Sequence, residues 1–206
     1  MNIQQMHIGV TLRVDRVASN SSEGFLPDEI DYYLNEAITQ YVQQQYLALK
    51  TKDLSLGSEA VNENLRTLIL ETTLTDKTNH DHDPRVHFQL PSNFLHYLYA
   101  KTKISDRWYS NELVTPAVIA KYQNNKYNSP LYRKLPTLLE NIRLHIFVDY
   151  SVTNLNNVEE CRLSYLKQPA IVNLISKVSC DLPVHTHTDI VGIAADKILT
   201  DIRIKQ

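Results

Sequence analysis

Glycine is scarce in this chain, with four in 206 residues. No GxGxxG turn, Walker A loop or GxSxG elbow occurs, so the sequence has no means of building a glycine-lined phosphate cradle or a nucleophile elbow. Cysteine is nearly absent too. Cys161 and Cys180 lie far apart and outside any CxxC pattern, which excludes a disulfide framework and fits two ordinary buried thiols in a reducing compartment. No apolar run reaches the roughly 20 residues that a membrane helix needs. The start, MNIQQMHIGVTLRVDR, lacks the charged head and apolar core of a secretory leader, so assembly in a cytoplasm is expected. Charge of one sign is missing as well. The formal net charge is -2, with acids and bases interspersed, and no basic stripe is available to grip a phosphate backbone. This speaks against sequence-reading of nucleic acid, while a channel wall past which nucleic acid slides stays compatible with it.

What is present is a globular composition, 43% hydrophobic and 21% charged, rich enough in Leu, Ile and Val to build a core. The clearest periodicity runs through PDEIDYYLNEAITQYVQQQYLALK. Ile30, Tyr33, Leu34, Ala37, Ile38, Tyr41 and Val42 fall on one helical face. Pro27 suits the first turn, and Asp28, Glu29 and Asp31 suit the positive end of the helix dipole, so a helix is expected over 27–50. Upstream, HIGVTLRVDRVAS alternates apolar with polar residues and predicts an extended arm or strand. A second, shorter helix is expected over 58–70, with Ser58 as cap and Val61, Leu65, Leu68 and Ile69 inward.

Beyond the polar stretch 76–85 the character changes. VHFQLPSNFLHYLYAKTKI, KLPTLLENIRLHIFVDYSVT and VEECRLSYLKQPAIVNLIS carry aromatic and β-branched residues in short runs, which predicts three or four strands in an antiparallel module of about 100 residues. The Asn-, Pro- and Tyr-rich segment 110–136 reads as an ordered but irregular excursion. A terminal helix is expected over 187–202, where Gly192 allows close approach of another element. The expected fold is therefore α+β, with N-terminal amphipathic helices and a C-terminal helix packed together around a central antiparallel β module with long loops. The expected divisions are 1–75, 76–180 and 181–206.

Two histidine clusters invite a metal reading. In LPVHTHTDIV, His185 and His187 stand near Asp189, yet Thr186 and Asp189 also match a capping box, and that structural reading accounts for more of the stretch. NHDHDPRVH offers His80, Asp81, His82, Asp83 and His87 to a divalent ion, and an HD pair is a feature of metal phosphohydrolases. The further His and Asp ligands of such an enzyme cannot be assigned, so a solvated linker is the preferred reading. Glu159 and Glu160 are adjacent on an expected strand and point to opposite faces. No catalytic residue, cofactor site or metal site is assigned.

LPDEIDYYLNEAITQYVQQQY near the start, followed much later by LSYLKQPAIVNL and LPVHTHTDIVGIAADKIL, resembles the neck proteins of tailed bacteriophages. The nearest likeness is to the head-to-tail connector or ring proteins of crAss-like phages. Tyr165, Lys167 and Pro169, with Leu182, Pro183, His185, His187, Ile190, Val191 and Ala194, carry the match. The resemblance implies a non-enzymatic virion protein forming a ring, of twelve subunits, in the phage neck. Such a ring contacts the portal and adjacent neck or tail proteins, and phage DNA passes through its channel. A near-neutral lumen suits such a passage. Ring interfaces are expected at Ile3 and Ile8 of the N-terminal arm, at Tyr122, Tyr127 and Tyr132 of the tyrosine-rich segment, and at His185 and His187. The alternatives are a metal-dependent phosphohydrolase using the His80–His87 cluster, or a tail-tube or stopper-type module that docks by strand addition.

Overall fold

The first residues form a helix rather than an arm. In the computed structural model, which describes residues 1–18, 24–51, 62–79, 85–123, 134–148 and 157–204, helix α1 runs from Ile3 to Ala18. Its buried side chains, Ile3, Met6, His7, Val10 and Val14, follow the helical spacing i, i+3, i+4, i+7 and i+11. The period-2 alternation of HIGVTLRV overlaps this pattern and misleads. A reciprocal cap starts the helix: Gln5 N–H donates to Asn2 Oδ1 at 2.8 Å, and Asn2 N–H donates to Gln5 Oε1 at 3.0 Å. The pair satisfies two donors that a helix start leaves open.

Helix α2, Pro27–Thr51, matches its expected span, and Leu26 N–H donates to Glu29 Oε2 at 2.9 Å across its first turn. Residues 62–65 form a helical turn, and Leu65 and Leu68 are buried as expected. Ile69 and Leu70 then leave the helical path, because they pair with Leu166 and Tyr165 on a strand. Val61 and Ser58 lie outside the described residues.

Two compact units result. One joins Met1–Leu68 to Gln168–Gln206, and the other is Ile69–Lys167. The divisions thus fall at 68/69 and 167/168 rather than at 75/76 and 180/181. The segment after Lys167 belongs with the helices because α2 side chains hold its backbone, as described below.

The second unit is a single eight-stranded sheet. Its strands are β1 (Ile69–Leu74), β2 (Lys77–Asn79), β3 (Arg85–Gln89), β4 (Phe94–Ile104), β5 (Arg107–Leu113), β6 (Lys134–Glu140), β7 (Arg143–Phe147) and β8 (Val158–Lys167). Their order across the sheet is β1-β8-β4-β5-β6-β7-β3-β2. Every neighbour pair is antiparallel except β5 and β6, which run parallel, Ser110 beside Lys134. A short helix, α3 (Pro116–Gln123), lies on the crossover between them.

The two edge strands are consecutive in the chain, separated only by Thr75 and Asp76. Seven inter-strand steps in a flat sheet would hold them more than about 30 Å apart. The three peptide units from Leu74 to Lys77 span at most about 11 Å. The sheet is therefore rolled until its edges meet, and Lys77 Nζ donates to the Val158 carbonyl of β8 at 2.6 Å near the seam. Alternate residues fill the inside: Val86 and Phe88, Ala100 and Ile104, Leu135, Leu144 and Ile146, Cys161, Leu163 and Tyr165. Register shifts along β4 against β8 move its inward set by one residue, which puts Tyr97 inside with Ala100.

Strand β5 escapes the sequence reading. Ser105 and Asp106 both take positive φ, 45° and 65°, and form a two-residue hairpin turn that closes Ile104 onto Arg107. Primed turns of this kind favour Asn-Gly or Asp-Gly, and Ser-Asp does not announce one.

The terminal helix α4, His187–Ile204, contacts both α1 and α2 within the helical unit. A Cβ on Gly9 would lie 3.1 Å from Val191 Cγ1, and one on Gly192 would lie 2.6 Å from Arg13 Nη1. Both glycines sit where α1 and α4 approach closely, as expected for Gly192. Among the described residues no helix is long and apolar enough to cross a membrane.

Candidate functional site

Two polar side chains of α2, Asp31 and Asn35, converge on one turn of the helical unit. Asp31, read from the sequence as a dipole acid, instead points inward. Its Oδ1 lies 2.7 Å from His7 Nε2 on α1, and its Oδ2 accepts from Leu174 N–H at 3.0 Å. One helical turn further along α2, Asn35 grips Val172 in both directions. Val172 N–H donates to Asn35 Oδ1 at 2.8 Å, and Asn35 Nδ2 donates to the Val172 carbonyl at 3.0 Å. Asn173 and Val178 bridge each other, and Ser176 N–H donates to Asn173 Oδ1 at 2.7 Å. Lys177 closes the turn with φ of 55°. The backbone of 172–178 is thus held by directed bonds, while Ile171 and Ile175 at its surface are 78% and 74% exposed.

The opposite flank of α2 forms one wall of a groove of about 310 Å³, lined by Tyr33, Glu36 and Gln40 of α2 and by Ile193, Asp196, Lys197, Thr200 and Asp201 of α4. Tyr33 donates to Asp201 at 2.7 Å, and this bond pushes the phenol up to about 12. Lys197 donates to Glu36 at 3.2 Å. Hydrogen bonds from Tyr32 and then Lys197 hold the Glu36 carboxyl below its usual range.

The two histidines of LPVHTHTDIV part company. His185 is exposed and its Nε2 lies 2.9 Å from Asn64 Oδ1. His187 is buried, with Nδ1 3.0 Å from the Met1 carbonyl and Nε2 2.9 Å from the Leu182 carbonyl. His187 is therefore covered by its own chain and corrects the expectation of an interface residue. The expected capping box is also replaced. A 3-10 turn, Val184–Thr186, precedes α4, and the Thr186 hydroxyl donates to the Pro183 carbonyl at 2.9 Å.

The other cluster is reached only through His87, since 80–84 lie outside the described residues. His87 of β3 stands opposite His145 of β7, and their Nδ1 atoms are 2.6 Å apart. One ring must donate and the other accept, so this buried pair ties two strands together. His145 Nε2 also lies 3.7 Å from Glu140 Oε2. Sequence reasoning missed His145 because nothing local marks a partner 58 positions away. Among the described residues no group of three or more His, Cys, Asp or Glu side chains is placed to hold a metal ion.

Of the expected interface residues, Ile3 is buried in the helical core and is corrected, whereas Ile8 is 58% exposed. Tyr122 sits on α3, while Tyr127 and Tyr132 lie outside the described residues. Glu159 and Glu160 do point to different partners. Glu159 pairs with Lys103, and Glu160 lies 3.9 Å from Arg162. On the outer face of the barrel Trp108 carries two cations, Arg162 at 4.6 Å and Lys101 at 5.3 Å from its ring centre.

Both cysteines are free and buried, and burial pushes each thiol up to about 11. At pH 8 about one thiol in a thousand would then be ionised, even before access is considered. Neither is expected to react with a disulfide reagent over minutes in the native protein, and both should react in denaturant. Rapid native labelling would contradict the buried placement.

The fold is α+β, a mostly antiparallel sheet with helices from both ends of the chain. Compared with protein-family models the sequence matches none, and no curated protein matches it significantly.

Proposed function

We propose that the chain is a structural subunit of a phage neck, forming a homo-oligomeric ring between portal and tail through which the genome passes. The observation that carries this reading is the contrast between interior and surface. Among the described residues His7, His87, His145 and His187 are committed to internal bonds, and both thiols are buried. Large apolar side chains stand in water on rigid elements instead: Ile8 and Leu12 on the outer face of α1, and Ile171 and Ile175 beside the braced turn. Exposed apolar surface on a braced scaffold suits assembly. The element order implied by the resemblance, terminal helices enclosing a β region, supports the same reading. The chain's formal net charge of -2, without a basic stripe in the sequence, suits a channel in which DNA must move rather than bind.

The test is electron microscopy and native mass measurement of the purified chain, alone and with portal. A ring of defined stoichiometry, twelve on this reading, is expected at least in the presence of portal. A chain that stays monomeric, ignores portal and is missing from virions would overturn the proposal.

A further inference from the structure

Within the helical unit, the braced turn and the groove lie on opposite flanks of α2. Asp31 and Asn35 face the turn, whereas Tyr33, Glu36 and Gln40 face the groove. At 100° per residue the two sets stand roughly 150° apart around the helix. The two features are also unlike in chemistry. Lys177 is the only charged residue of the segment 170–178, and it stands among Ile171, Ile175 and Val178, all exposed. The groove has Ile193 and three acids, Glu36, Asp196 and Asp201, against one base, Lys197, which already pairs with Glu36.

We infer that the turn of one copy docks into the α2–α4 groove of the next, with Ile175 against Ile193 and Lys177 against Asp196 and Asp201. This deepens the proposed function and rests on it, naming the subunit contact of the ring. A knob on one flank and an acidic groove with Ile193 in its lining on the other make a heterologous interface, which generates a ring when its rotation closes. The bracing matters to affinity: a turn already fixed by Asp31 and Asn35 loses little freedom on docking. Charge complementarity sets its direction, because a Lys177-tipped turn is repelled by a second Lys177-tipped turn.

Paired cysteines test the contact, since the natural thiols are buried. An Ile175→Cys/Thr200→Cys variant, oxidised gently, is expected to give a ladder of covalent multiples on a non-reducing gel. A mixture of the two single variants should give dimers and nothing larger, and each single variant alone should give none. Lys177→Glu should weaken association about tenfold or more, and adding Asp196→Lys should restore it. Rings that persist in Lys177→Glu, together with no ladder from the paired-cysteine variant, would overturn this contact and leave the ring reading standing. Self-linking of Ile175→Cys alone would replace it with a two-fold contact. A chain that never assembles, alone or on portal, would overturn both.

Discussion

Replacing Asp31 by alanine should cost the helical unit about 3 kcal/mol, because it leaves two buried hydrogen-bonding groups without their partner, at about 1–3 kcal/mol each. The carboxylate sits between His7 Nε2 and Leu174 N–H, and both are left facing a void when it goes. Asparagine at the same place keeps one acceptor and should lose less. The buried cysteines give a unit-specific reporter, because Cys180 belongs to the helical unit and Cys161 to the barrel. In Asp31→Ala, Cys180 should be labelled about two orders of magnitude faster or more than in the parent, with Cys161 little changed. Equal acceleration of both thiols would contradict a local role for Asp31.

Phe88→Ala is the complementary experiment. Phe88 is among the largest side chains buried completely in the chain, and it faces the barrel interior beside its cross-strand partner Leu144. Truncation should cost about 3–5 kcal/mol, from lost transfer energy plus the cavity left behind. Here Cys161 should become reactive while Cys180 keeps its protection. Phe88→Leu, which refills most of the volume, should recover much of the loss. A variant as stable as the parent in denaturant titration would mean that the barrel core is looser than its burial implies.

The helices that begin at Pro27 and His187 were legible because their signals are local and agree: periodicity, an acidic start, and a proline in or just before the first turn. Helix α1 was hidden by a sequence that satisfies two periods at once, and its Asn2–Gln5 cap was the signal that would have separated them. Strand β5 was hidden by an unadvertised turn. The rolled sheet was out of reach for a different reason. Its seam depends on β1 and β2 ending up at opposite edges, and its His87–His145 tie joins segments with no local sign of each other. Asp31 shows the same limit in one residue, since an acid in a first helical turn suits a dipole, and only tertiary structure reveals a histidine and a backbone amide waiting for it.

The pairing of Ile69 with Leu166 has a consequence for how the chain folds. The polypeptide enters and leaves the barrel on neighbouring strands, so a formed barrel delivers its two ends side by side. The connection between α2 and α4, residues 52–186, opposes their meeting, and taking residues 69–167 out of it as a formed barrel relieves about 1 kcal/mol of loop-closure entropy. The β unit thereby acts as a clasp on the sequence, formed first and making the distant halves of the helical unit near neighbours. Refolding should accordingly protect barrel amides from exchange before those of α1 and α4.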